Sequence, residues 1–137
     1  MSLVLPDQGE AIAVKALVNH TAPQNLSLRL YKNDKTPADG DTEANYTVAD
    51  FAGYASVTLT GGSWVVVEGA PTEATYAQQT FTRSSTGAAQ TIYGYYLVQV
   101  TSGKLVWVER FASAVVITNA GETIKVTPRI TAKDEVD

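Results

Sequence analysis

The sequence predicts an all-β domain: a single jelly-roll-like β-sandwich of about eight strands with one N-terminal helix. Three observations carry this expectation. The stretch 91–111, TIYGYYLVQV-TSG-KLVWVERF, sets β-branched and aromatic runs on either side of Thr101, Ser102 and Gly103. Strand formers flanking a short loop, with Gly where positive φ is cheap, read as a hairpin. Apolar runs recur roughly every ten residues with Gly or Pro between them, the rhythm of a sandwich or closed barrel. Charged residues make up only 18% of the chain, below the usual ~25%, while Thr and Val abound, as in β-proteins. The 137 residues suffice for one domain with a real core, where two would each be marginal. The domain therefore spans 1–137, with 1–6 as an N-terminal arm and 132–137 as a C-terminal tail.

Leu3, Val4 and Leu5 form a short apolar arm that Pro6 stops. Asp7 stands three residues before Glu10, as in a capping box, so a helix is predicted over 8–19 with Asp7 as its N-cap. Residues 20–24 are a connection broken by Pro23. The stretch 25–31 alternates, with Leu26, Leu28 and Leu30 inward and Ser27, Arg29 and Tyr31 outward. Residues 33–44 are a polar loop with Pro37 and Gly40, and loops this long in a compact domain are usually functional or mobile. A short edge strand is predicted at 46–48 and a turn at 50–53.

Residues 54–60 read as a strand with Val57 and Leu59 inward. Gly61-Gly62 turns the chain and 63–68 returns, which makes a second hairpin. Residues 74–82 are a strand with a Gln/Thr face, and 83–89 a flexible loop of small residues. In the central hairpin the first arm is apolar on both faces around Gly94, so it should be central and covered on both sides. On the second arm Leu105, Trp107 and Phe111 share one face, and Val106, Val108 and Arg110 the other. A brief strand at 114–118 and a turn at 119–121 follow. The stretch 122–131 closes the domain with Ile124, Val126 and Ile130 on one face, and 132–137 should fray.

The residues narrow the function more than they name it. Net charge is −4 with no basic run, which disfavours nucleic acid, whose backbone demands Lys/Arg clusters. There is no cysteine and one histidine, so neither disulfides nor thiolate chemistry nor a multi-histidine metal site is expected. The start lacks a basic segment followed by an apolar core, so no secretory leader is read there. No apolar run reaches the ~20 residues that span a bilayer. His20 lies in a Pro-containing connection with no Gly-x-Ser-x-Gly elbow anywhere, and reads as a loop histidine rather than a catalytic base. Asp39, Asp41 and Glu43 alternate as calcium ligands do, but the full ligand series is missing and a solvated turn is the simpler reading. Glu68, Glu73 and Glu109 sit at strand ends or beside Arg110, where Glu109 and Arg110 suggest surface pairing more than a glycosidase pair. Tyr93, Tyr95, Tyr96, Trp64 and Trp107 suit either a sugar-binding platform or the core. Alternation puts Tyr93 and Tyr95 on one face and Tyr96 on the other, which favours core. The triplets at Asn19, Asn25 and Asn45 match the glycosylation pattern only because the chain is rich in Asn and Thr. No catalytic, cofactor or metal residues are therefore expected, and the protein is read as not an enzyme.

Several stretches in order, NHTAPQNLSLRLYKNDKTPADGDT, GYASVTLTGGSW, ATYAQQTFT, IYGYYLVQVTSGKLVWVERF and ETIKVTPRITA, give the chain a resemblance over nearly its whole length. It resembles a family of small virion proteins of tailed bacteriophages. The strand within APQNLSLRLY, the YGYY–WVERF hairpin and the IKVTPRI closing strand are the most specific parts. The resemblance implies a structural component of the particle, assembled in the bacterial cytoplasm, and brings no catalytic residues with it. A capsid decoration or cement protein bound to the major capsid protein is the leading expectation. A tail fibre, spike or other receptor- or carbohydrate-binding component is the rival. Edge strands invite pairing, and closed symmetry covers them, so a homotrimer suited to local threefold positions of a capsid is expected. The arm residues Leu3, Val4 and Leu5 are the candidate partner contact, the alternative being that the arm simply adds to its own sheet.

Overall fold

The computed structural model describes residues 2–18, 20 and 23–132. In chain order the elements are β1 (Ser2–Val4), α1 (Asp7–Leu17), β2 (Leu26–Tyr31), β3 (Val57–Leu59), β4 (Val65–Val67), β5 (Thr72–Thr75), β6 (Gln79–Thr82), β7 (Gln90–Gln99), β8 (Leu105–Ile117), β9 (Thr123–Val126) and β10 (Arg129–Ala132). Two short 3₁₀ turns, Glu43–Asn45 and Gly61–Ser63, complete them. Every named pairing is antiparallel. They build a five-stranded sheet β1-β8-β7-β2-β3, a three-stranded sheet β10-β5-β4 and a pair β6-β9. The all-β class and the one helix match the expectation, and the layers are sandwich-like. Sheets of five, three and two strands do not reproduce the paired four-stranded sheets of a jelly roll. The helix position 19 and the tail beyond Ala132 lie outside the described residues.

The β7–β8 hairpin forms as the sequence predicts. Gly103 takes φ 70° in the turn and donates its N–H to Gln99 O at 2.8 Å. The face assignment of the second arm is corrected by a bulge. Leu97 pairs with Trp107 but Val98 pairs with Leu105, leaving Val106 as an extra residue on β8. A bulge reverses the alternation on one side of it. Leu105 therefore joins Val108, while Val106 joins Trp107 in the main core. A second irregularity, between the Ile92–Val115 and Gly94–Arg110 pairs, lets β8 bend and run on to Ile117. The strand predicted at 114–118 is thus the end of β8. The same irregularity places Tyr93 against the cluster of Tyr96 rather than with Tyr95.

β7 is buried without interruption from Gly94 to Gln99, so both of its faces need cover. One face looks into the main core of Leu28, Leu30, Leu59, Ile92, Tyr95, Leu97 and Trp107, with Ile117, Ile124 and Val126 closing it. The other carries Tyr96 and Val98 into a second cluster with Tyr31, Tyr46, Leu105 and Val108. This corrects the outward assignment on β2: Tyr31 is 0% exposed and Ser27 only 7%. The cause is the segment after β2, which folds back over that face. Lys32 N–H donates to Thr47 O at 2.8 Å and Ala49 N–H to Leu30 O at 2.9 Å. The edge strand predicted at 46–48 reduces to one bridge, Tyr31 with Val48.

Two other predicted strands break in the middle. Between the pairs Thr75–Arg129 and Gln79–Val126 the ladder is interrupted at Tyr76-Ala77-Gln78 and Thr127-Pro128. Pro128 has no N–H to give, and its carbonyl accepts the Tyr76 N–H at 2.9 Å. The 74–82 and 122–131 strands are therefore one antiparallel ribbon bent at a corner, β5–β10 on one side and β6–β9 on the other. The hairpin predicted over 54–68 does not form either, because β3 pairs with β2 while β4 pairs with β5. Between them Trp64 packs edge-on against Trp107 at 5.8 Å and Tyr76 at 5.1 Å between ring centres. That anchor sends the chain from one sheet to the other.

The helix starts one residue earlier than predicted, with Pro6 as N-cap and no side-chain cap. Asp7 is its first residue, and its backbone N–H donates to Asp39 O at 2.9 Å. Gly9 is the buried residue of the helix. A Cβ there would collide with the Val106 carbonyl, so the helix backbone rests directly on the bulge of β8.

Trp107→Ala should cost about 3–5 kcal/mol of stability, the range for a large ring removed from a core. Urea melts measure it. A loss under ~1 kcal/mol would mean that the ring contributes little packing.

Candidate assembly surface

The long loop after β2 holds the alternating carboxylates, and the structure turns them in different directions. Asp41, 7% exposed, accepts the Tyr46 hydroxyl at 2.6 Å and the Ala38 N–H at 2.9 Å. It also pairs with Lys35 Nζ at 3.0 Å. Burial pushes its carboxyl up, but the bonds from Tyr46, Lys35 and Ala38 together outweigh burial and hold it below the ordinary 3.8. Glu43 reaches the other way, accepting the Tyr96 hydroxyl at 2.9 Å and Arg29 Nη1 at 3.2 Å. Asp39 is exposed. Among the described residues no three His, Cys, Asp or Glu side chains converge as a metal site would need. Asp41 and Glu43 instead receive the buried tyrosine hydroxyls. Burial raises Tyr31 to about 12. It also raises Tyr46 and Tyr96, to which the neighbouring Asp41 and Glu43 add.

The remaining candidates separate. His20 is exposed just past the helix and donates its backbone N–H to Lys15 O at 2.8 Å. Glu109 and Arg110 do not pair with one another. Glu109 accepts the Tyr95 hydroxyl at 3.2 Å, whereas Arg110 pairs with Asp34 at 2.6 Å and lies over the Tyr93 ring. Glu73 pairs with Arg129 at 3.5 Å, and Glu68 is exposed just past β4. Tyr95, Tyr96 and Trp107 are buried, while Trp64 and Tyr93 are half-buried against them. The aromatics are thus core, the favoured reading. Asn25 Oδ1 accepts the Gly61 N–H at 3.2 Å, and Asn45 completes the capping box with Thr42. Asn19 lies outside the described residues. The loop predicted to be flexible, 83–89, is tied down around a buried Arg83. Arg83 donates to Ser85 O and Ile117 O, both at 2.8 Å.

What the fold leaves open is strand edge. Leu3 and Val4 lie on β1, the outermost strand of the five-stranded sheet, in register with Glu109 and Val108. Leu3 and Leu5 pack on the main core, and all three arm residues are half-buried. The arm therefore adds to its own sheet. Beside it runs a groove of about 480 Å³ lined by Leu3, Glu109, Thr127, Arg129 and Thr131. It separates β1 from β10, so the edges of two sheets border one concavity.

The surface that sequence reasoning missed is β4. Val65, Val66 and Val67 are 63%, 62% and 61% exposed, and their strand ends the three-stranded sheet. The sequence reads 63–68 only as the returning arm of a second hairpin and assigns its valines no face. Three valines in a row carry no alternation from which an inner or outer face can be read. No described helix is long and apolar enough to cross a membrane.

No protein-family model matches the chain, and no characterised protein is detectably similar to it in sequence.

The Asp41 contacts make an acid-side prediction. The folded carboxyl has a depressed pKa, so the folded state keeps this charge where the unfolded chain has bound a proton. Its stabilisation is complete well above 3.8 and is lost as pH falls through 3.8 and then past the lower folded value. Asp41→Asn should therefore be less stable than the natural protein at neutral pH, by roughly 1–3 kcal/mol. The gap should narrow steadily below about pH 4. Urea melts across the acid range check this, and a gap that stays constant would remove Asp41 as the linked group.

Proposed function

We propose that this chain is a structural protein of a tailed-bacteriophage virion, a capsid decoration or cement protein that grips the major capsid protein and stabilises the head. It acts without catalysis and without a cofactor, through edge and arm contacts. The observation that carries this reading is the uncovered, uncharged β4 edge. Proteins that stay single in solution blunt such edges with Lys, Pro or bulges, whereas an assembly protein needs them. The resemblance read in the YGYY–WVERF and APQNLSLRLY stretches points the same way, with no family model or characterised relative beside it. Leu3, Val4 and Leu5 add to their own sheet and are half-buried on its core, so any capsid contact on this side is made through the outer edge of β1 and the adjoining groove, where a neighbour's segment docks.

The rival, a receptor- or carbohydrate-binding tail component, would use flat exposed aromatic faces. The rings available here are engaged in packing, which favours the capsid reading. Cryo-electron microscopy of the phage particle is the test. Density for this domain repeated with icosahedral symmetry over the head is the expected result, and purified protein added to undecorated heads should raise their melting temperature. Density confined to the tail, with heads unaffected, would replace cement with the tail reading.

A further inference from the structure

We propose that the β4 edge pairs with the β4 edge of a second copy of this chain, antiparallel about a twofold axis at Val66. The inference does not depend on the virion reading. It starts from the rows of side chains across the small sheet. Directly opposed residues share a face. Val66 stands opposite Ala74, and Ala74 opposite Ile130. Ile130 packs against the main core. An apolar row thus leaves the core, crosses the sheet and stops at Val66, 62% exposed. On the other face Val65 continues the row of Thr75 and Arg129, and Val67 that of Glu73 and Thr131.

A second copy turned about Val66 completes each row. Val66 meets Val66, so the inner row reads Ile130, Ala74, Val66 and then its mirror image. Val65 meets Val67, so each outer row carries Arg129 from one copy and Glu73 from the other. No like charges oppose one another. Trp64 faces Glu68, the nearest carboxylate, rather than a second acid. β-Branched residues pack well on a pleated surface, and a strand of three identical valines suits itself in this register. The alternative head-to-tail contact, β4 onto β10, is less apt. The β10 edge carries Arg129, already paired with Glu73, and borders the groove beside β1.

Three residues a side bury far less than the ~1,200 Å² of a stable complex. The pairing is therefore weak in dilute solution and strengthens when copies are held close together. It gives twofold rather than threefold symmetry.

The chain contains no cysteine, which allows a direct test in the full-length protein. Across the axis the two Val66 Cβ atoms would lie about 4.5–5.5 Å apart, near disulfide reach. Val66→Cys at high protein concentration, oxidised with copper phenanthroline, should form covalent dimers several-fold faster than Val100→Cys. Val100 is similarly exposed at 52% but sits at the hairpin turn. Mixed Val65→Cys and Val67→Cys proteins should cross-link to each other faster than either does to itself. Adding Val65→Glu to Val66→Cys should abolish the advantage, with urea melts confirming that the fold survives. Equal rates for the 66 and 100 variants would overturn the pairing. Faster self-linking by the 65 variant would overturn the register. A trimeric mass by sedimentation would overturn the twofold.

Discussion

Burying one strand on both faces is the constraint from which the rest of this structure follows. From Gly94 to Gln99 every β7 residue is buried, so the five-stranded sheet needs a layer on each side. The β6–β9 pair, Trp64 of the β3–β4 connection, Phe51 and Tyr54 from before β3, and part of the β5–β10 ribbon supply one. The segment following β2 supplies the other. Gly94 shows how tight the second layer is: a Cβ there would meet the Glu109 carbonyl and sit 2.7 Å from the Tyr31 ring. The tyrosines bring hydroxyls into this interior, and a buried polar group without a partner costs about 1–3 kcal/mol. Asp41 serves Tyr46, Glu43 serves Tyr96, and Glu109 serves Tyr95. The long polar loop is therefore ordered by need. It carries acceptors that the buried face requires.

The same logic explains the bulge. A hairpin with regular alternation would place Leu105 with Trp107. With Val106 as the extra residue, Leu105 reaches the tyrosine cluster and Val106 turns into the main core. Gly9 then lets the helix backbone press on the Val106 carbonyl. One inserted residue thus seats the helix and fills the second cluster together. It also explains why the helix tolerates a poor start. Pro6 offers no side-chain cap, and the first N–H finds a tertiary acceptor at Asp39 instead.

Much of this was legible in the residues, and the rest was hidden for physical reasons. Alternation in 25–31 located β2 and its inner face, and the TSG turn located the hairpin. The run Leu105-Val106-Trp107-Val108 is apolar at every position, so it carries no phase from which a bulge can be read. Tyr31 was placed outward because Ser27 and Arg29 share its face. Only the fold-back of the next segment, a tertiary event, buries it. The break at Pro128 is one that the continuous strand expected over 122–131 passes over, although a strand interior cannot lose an N–H freely. Arg83 shows the opposite failure. Its neighbours are small and polar, as in a mobile loop, yet its guanidinium ties two carbonyls and fixes the segment.

The edges are where folding and assembly pull apart. The five-stranded and three-stranded sheets each end in two strands, and three of these four ends have some guard. β3 is short, with its inner end at Leu59 fully buried. β1 is a three-residue arm half-sunk on the core. β10 carries the Arg129–Glu73 pair on its outer face. β4 is as short as β3 but has neither burial, core packing nor charge, although a single Lys in place of Val66 would have guarded it. An unguarded edge made entirely of valine lowers solubility in a chain with only 10 basic and 14 acidic residues. Its short length offsets that liability, because three residues at the edge of a three-stranded sheet give a contact too small to hold dilute copies together. An edge both apolar and brief is suited to work at high local concentration, where many weak contacts act at once and none acts alone.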